Sequence, residues 1–557
     1  MDVFINPKDL SVAKVAFGEA LDNTLKHSCH EQFSFEVLLK LDKLIGGVAD
    51  RQYYVISNSK DGKKFFENVL DVAYEKRIHE LITKSLKQRI DCRQLGTDGY
   101  ICNLDPDVVN DVQVCLSILA HIASGSKIHT NAMHELGVVA IAEKLALQKY
   151  FTEMSYQSIK IVACYMSENR IYAKQITDTI VYLKRACELC MCLDDDDCQK
   201  AWLLFFFDYA YRTTDMGLHI HDHYVVTSLR FGCNALDTDD RFLLERTVEF
   251  LLTILDTDII SNHLRGASAV INLVAVIVQK LVIIMADHCN SVYNDVVLVL
   301  RNVFLIRWRP HHRSTLVHMA LSSGLMLQIL YRLHSDDAEV LEHILWLMSH
   351  LLRNEQRLAF ELESQYSFIP LVCFHLHSKL YVVASRALLA LYAILEAGDY
   401  YITDNSDLRP DKKYVMNHPE VLTSILAVLC NVLELKESAP TSEMPDWENP
   451  VSTLLDYGLR CLEYVVNFAS YDFEEDEEDL TEDKAAKLRE MQLKVTQICN
   501  TPSMFETLRY LKRLNVEHYD VQRLDFQNRL TDIITNFITA LTRQNIEYDQ
   551  SYYDADS

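Results

Sequence analysis

Glycine and proline are scarce in this chain, at 14 and 10 of 557 residues, where average usage would give roughly 39 and 28. Phosphate-cradling loops and doubly wound sheets consume glycine, and long helices do not, so the shortage argues against an ordinary α/β enzyme. Catalytic signatures are missing as well. There is no P-loop, no glycine-rich dinucleotide fingerprint, no nucleophile elbow and no metalloprotease helix; neither enzymatic activity nor a cofactor is expected. A basic surplus is also lacking. The formal net charge of −25 and pI near 5.3 speak against nucleic-acid binding, which needs a basic face, and suit basic partners or plain solubility.

The fifteen cysteines follow no disulfide framework, and Met1 to Leu21 carries no secretory pattern, so reduced thiols in the cytosol or nucleus are expected. Cys187, Cys190, Cys192 and Cys198 precede His219, His221 and His223, but no second Cys-x-x-Cys completes a zinc pattern. Buried thiols beside a surface histidine loop are the expectation, and no metal. The most apolar run, Ala269 to Ala286, is interrupted by Asn272, Gln279 and Lys280. It reads as a buried helix rather than a membrane span.

What the chain does have is helical periodicity that repeats. From Ala338 to Leu352, Val340, Ile344, Met348 and Leu351 form one apolar stripe, while Glu342, Trp346 and His350 stack on another side. The pattern returns with Ala387, Leu391, Ile394 and Leu395, and Gly398 is a candidate helix stop. Equivalent positions fall at His121, Cys164, Phe206, Leu252, Asn302, His350 and Ala393, every 42 to 50 residues. A helix that buries one face and recurs at this interval needs a copy of itself alongside, which defines an α-solenoid.

Four regions follow. Residues 1–107 are an irregular helical part, in which Phe33 to Val48 reads as a helix ended by Gly46-Gly47. In the segment from Lys76 to Arg89, Ile78, Leu81 and Leu86 are expected to turn inward. Repeats occupy 108–498, broken by loops at Tyr400 to Pro419 and Lys436 to Pro450 and by an acidic insertion at 472–483. A last repeat spans 499–541, and 542–557 is an acidic tail. Pro310 is placed in a loop, where Arg307, Arg309, His311, His312 and Arg313 make a small basic patch.

The run HSDDAEVLEHILWLMSHLL resembles the long inner helix of an armadillo repeat of the importin-α (karyopherin-α) family. Its acidic lead-in, its Glu-Val and its mid-helix Trp all match, and VLVLRNVFL and SSGLMLQILYRL fit the preceding helices. Asp111 to Gly137, Tyr156 to Ile176 and Cys499 to Ile538 resemble further repeats, the last of them the final one. The resemblance implies an all-α, right-handed armadillo-repeat superhelix of about nine or ten repeats. It implies an import adaptor that binds nuclear-localisation-type, lysine-containing peptide segments in a concave groove and moves between nucleus and cytoplasm. The alternative is an armadillo scaffold without transport activity. Neither nucleic acid nor membrane is an expected partner.

In the family, inner helices carry a Trp and, four residues on, an Asn. Here those pairs read Ser117/His121, Lys160/Cys164, Trp202/Phe206, Leu298/Asn302, Trp346/His350 and Leu389/Ala393, and no repeat retains both members. The family's cage for a cargo lysine matches Gly125, Thr130 and Glu168 by spacing, so the groove residues implied are these three with Trp202, Asn302, Trp346 and His350. Importin-β-type and exportin-type receptors are implied as further partners, the exportin contact at Leu508, Leu511, Leu514 and Ile534. The family's basic importin-β-binding segment has no counterpart before Val108.

Overall fold

The computed structural model describes residues 10–26, 33–55, 60–95, 101–125, 127–148, 151–168, 179–190, 197–213, 222–256, 259–260, 264–286, 292–354, 358, 368–397, 418, 420–434, 450–470, 482–514 and 523–547. These residues form helices and no strand. They belong to two compact units, Met1–Arg307 and Trp308–Ser557.

The first unit contains α1 (Leu10–Leu25), α2 (Phe35–Val55), α3 (Lys60–Glu75), α4 (Ile78–Arg89), α5 (Pro106–Ala123), α6 (Lys127–Glu135) and α7 (Val138–Ala146). It continues with α8 (Thr152–Glu168), α9 (Thr179–Cys190), α10 (Asp197–Thr213), α11 (Asp222–Ala235), α12 (Arg241–Ile254), α13 (Ser268–Met285) and α14 (Tyr293–Leu305). One layer is an unbroken stack in which α2, α5, α8, α10, α12 and α14 each pack on the next. The stack therefore begins before residue 108, at α2. It also folds back on itself, because α2 touches α12.

The second unit holds α15 (Pro310–Ser322), α16 (Leu325–Arg332), α17 (Ala338–Asn354), α18 (Phe368–Leu376), α19 (Tyr381–Ala397) and α20 (Glu420–Glu434). After these come α21 (Pro450–Ser470), α22 (Glu482–Cys499), α23 (Pro502–Arg513) and α24 (Arg523–Arg543). Here α17, α19, α21 and α24 stack in order as the inner helices, and α18, α20 and α23 stack as the second layer. Both units are α-solenoids, as the periodicity requires.

Local sequence explains where helices start. Asp105 accepts a hydrogen bond from the Asp107 amide at 2.9 Å, with Pro106 in the first turn of α5. Asp240 caps α12 through the Leu243 amide at 2.8 Å, and Thr501 caps α23 ahead of Pro502. These are ordinary N-caps. Where three-helix repeats turn from their first to their second helix, the backbone is left-handed: φ is 75° at Gly137 and 93° at Gly324.

Scarce glycine is also spent where helices touch. A Cβ on Gly232 would lie 2.9 Å from Cε1 and 3.1 Å from Cδ1 of Phe250, a ring with no exposed surface. Gly232→Ala should therefore destabilise the first unit by about 1 to 3 kcal/mol through overpacking. Urea unfolding measures this, and an unchanged midpoint would mean that the ring has room to yield.

Three local expectations are corrected. Gly46-Gly47 does not end a helix, since α2 runs on to Val55. Gly46 instead admits the His121 ring, whose Nε2 would sit 3.0 Å from a Cβ there. Leu81 is 40% exposed, and Ile82 fills the inward place between Ile78 and Leu86. Pro310 is not in a loop: it opens α15 at a first-turn position where its missing amide hydrogen costs nothing. The apolar run is α13, with a mean hydropathy of 2.2 and the length to cross a membrane. Here Val270, Ile271, Val274, Ile277, Val278 and Leu281 are buried against α11 and α14.

Candidate functional site

In the first unit the inner helices bury the residues expected to line a groove. Trp202 is 5% exposed, and the ammonium of Lys160 lies 4.6 Å from the centre of its ring. Lys160 is itself buried and sits 3.4 Å from His121 Nδ1. An ammonium can only donate, so this nitrogen is the acceptor and the imidazole is neutral. Burial first, and the Lys160 charge second, hold the His121 pKa well below its usual 6.5. Asp42 Oδ1 approaches His121 Nε2 only to 3.9 Å, too far for a hydrogen bond that would offset the burial. Cys164 and Phe206, at the same helical level, are buried too.

The implied lysine cage is placed as follows. Thr130 is 2% exposed. Beside Gly125, the Ile122 carbonyl is 3.2 Å from His129 Nδ1, and His129 Nε2 lies 3.0 Å from Asp71. The Glu168 side chain lies outside the described residues. Asn302 is buried, donates to the Leu252 carbonyl at 3.3 Å and accepts from Arg301 at 2.9 Å. At the C-terminal end, Leu508 and Leu511 are core residues, while Leu514 and Ile534 are half-buried. Cys187 is buried, which pushes its thiol up to about 12. No group of three metal-ligating residues occurs among the described residues; Cys192, His219 and His221 fall outside them.

The second unit carries a different arrangement. Trp346 and His350 sit on α17 with ring centres 6.2 Å apart. The guanidinium of Arg386, from α19, covers the Trp346 ring at 3.7 Å and reaches Glu342 at 3.5 Å. The chain's own cations thus lie on both tryptophan faces. Deeper on α19, Ala384, Ala387, Ala390 and Ala393 are buried. α17 and α21 flank α19, and on α21 a Cβ at Gly458 would lie 3.7 Å from Leu388 of α19, so these last two helices pack closely there.

Where the two flanking helices converge, their side chains form a cluster over α19. Tyr392 and Tyr457 meet edge to face with centres 5.2 Å apart, and Tyr464 lies 5.8 Å from Tyr392. Arg353 sits 5.7 Å and 5.6 Å from the Tyr392 and Tyr457 ring centres, and Arg460 sits 6.0 Å and 5.6 Å from the same two. Such guanidinium–ring contacts fix a side chain that would otherwise be mobile. Burial raises the Tyr392 pKa, so its hydroxyl stays protonated and donates to Glu396 at 3.3 Å. Arg353, Tyr457, Arg460 and Tyr464 are half-buried, with part of each surface open to solvent. Sequence reading missed this cluster. Its one signal is Tyr457, Arg460 and Tyr464 at three- and four-residue spacing on α21.

No protein-family model and no curated protein matches the chain. Solved structures do. One, described as concerning a conserved phosphorylation switch that controls the interaction between cadherin and β-catenin, is 12% identical with a TM-score of 0.54, and covers 96% of this chain and 99% of its own. An engineered protein from a structural genomics programme is 14% identical with a TM-score of 0.52, over 94% of this chain and 99% of its own. At such identities the likeness is one of fold. The class is defined as an armadillo-like α-solenoid.

Proposed function

We propose that this protein is a repeat scaffold that holds a segment of another protein against the inner-helix face of Trp308–Ser557. The observation that carries this reading is the half-open cluster of Arg353, Tyr457, Arg460 and Tyr464 around Tyr392, which joins α17, α19 and α21. Tyrosine, tryptophan and arginine are the residues that dominate protein-interface energetics, because they combine large area, few rotors and a polar tip. The structural neighbour described in terms of cadherin and β-catenin supports the reading by analogy of fold only. An import adaptor would need tryptophan faces free for cargo lysines, and here Lys160 and Arg386 occupy them.

A photocrosslinking residue placed at Tyr464 should trap a protein from native extract that the same probe at Tyr510, on α23, does not trap. Equal trapping at both positions, or at neither, would remove the assignment. Competition by a basic nuclear-localisation peptide would restore the import adaptor in its place.

A further inference from the structure

Arg353 of α17 and Arg460 of α21 belong to the cluster, Arg386 of α19 lies over Trp346, and two of these three arginines have carboxylate partners. Arg386 lies 3.5 Å from Glu342 and Arg460 lies 2.9 Å from Asp456. No carboxylate pairs with Arg353 among the described residues. Its Nη2 makes one long hydrogen bond, 3.4 Å, to the Tyr457 hydroxyl, and its Nε is buried with no hydrogen-bond partner. A guanidinium keeps its charge at every accessible pH and offers five donors in a rigid fork. Burying that donor unmatched is costly, and the remaining, solvent-facing part of the half-buried fork is what a ligand can reach. Tyr392 and Tyr457 hold the fork in place from two sides without satisfying it. The Tyr457 hydroxyl accepts from Arg353, which leaves its own hydrogen to donate alongside.

We propose that Arg353 and the Tyr457 hydroxyl together receive an anionic side chain, a carboxylate or a phosphate, from an extended segment of the partner protein. This rests on the scaffold reading above and gives the partner its chemistry, opposite in sign to the lysine-rich cargo that the sequence resemblance implies. The fork donates two parallel bonds to the anion's oxygens, and the tyrosine supplies a third.

The test uses the full-length protein against an array of 12-residue peptides in four matched series, with glutamate, phosphoserine, glutamine or lysine at the central position. The glutamate or phosphoserine series should bind about tenfold or more tighter than the glutamine series, as a charge-assisted bond requires. Which of the two binds better identifies the source of the anion. Arg353→Gln should abolish the preference, Arg353→Lys should keep part of it, and Tyr457→Phe should weaken it while leaving the fold intact by circular dichroism. If Arg353→Gln does not fold, the lysine and phenylalanine variants carry the test. A preference that survives in every folded variant, or a preference for lysine, would overturn the anion site and leave the scaffold reading standing. Failure of every series to bind would overturn both.

Discussion

Phe250→Ala should cost the first unit about 3 to 5 kcal/mol, the range for truncating a large ring in a packed core. Phe250 has no exposed surface. Its ring centre lies 5.8 Å from Phe207 and 6.4 Å from Tyr211, and Gly232 lets the neighbouring helix come close on a third side. Phe207 and Tyr211 are held on α10 and Gly232 on α11, so neither helix can collapse into the void without leaving its own neighbours. The residual cavity keeps the cost near the upper end. Guanidinium unfolding followed by tryptophan fluorescence would read it, since Trp202 is in the same unit. A loss below about 1 kcal/mol would mean that the unit repacks freely.

Acidification should destabilise the same unit. His79, His121 and His129 all titrate below the usual 6.5, in each case chiefly through burial. Lys160 adds to the effect at His121, whereas Asp71 opposes it at His129. A lowered histidine pKa means that the unfolded chain takes up protons first as pH falls. Stability is therefore complete above pH 6.5 and is lost from there down toward the folded-state values. The loss is owed chiefly to His121, which is held furthest below its usual value, and His79 and His129 add to it in the same direction. Asp208 works the other way, because burial raises its carboxyl pKa. Denaturation midpoints at pH 7.5 and 5.5 test this, and Lys160→Met should shrink the difference by relieving His121. Equal midpoints at both pH values would contradict the argument.

The fold was legible because it depends on a period that every repeat displays alone. Val340, Ile344, Met348 and Leu351 were assigned to the core from spacing, and all four are buried. The stack before residue 108 was harder to see, because α2 passes through two glycines that locally read as a stop. The site was less legible still. Trp346 stands out in the sequence, but the arginine that covers it lies one repeat further on, and nothing local ties Arg386 to it. Arg353, Tyr392 and Tyr457 each look ordinary on their own helices. Their meaning comes from the stacking of α17, α19 and α21, which brings three helices' side chains together.

The return of α2 onto α12 has a consequence for how the first unit comes apart. A linear stack of repeats frays from its ends, each terminal repeat leaving at the cost of one interface. In the first unit, the terminal inner helix also touches a helix far along the sequence, so peeling it away costs a further, smaller contact. Such a clasp raises contact order, slows the search for the folded state and makes loss of structure more nearly all-or-none. Hydrogen exchange should show it as similar protection from α2 to α12 rather than a decline toward α2.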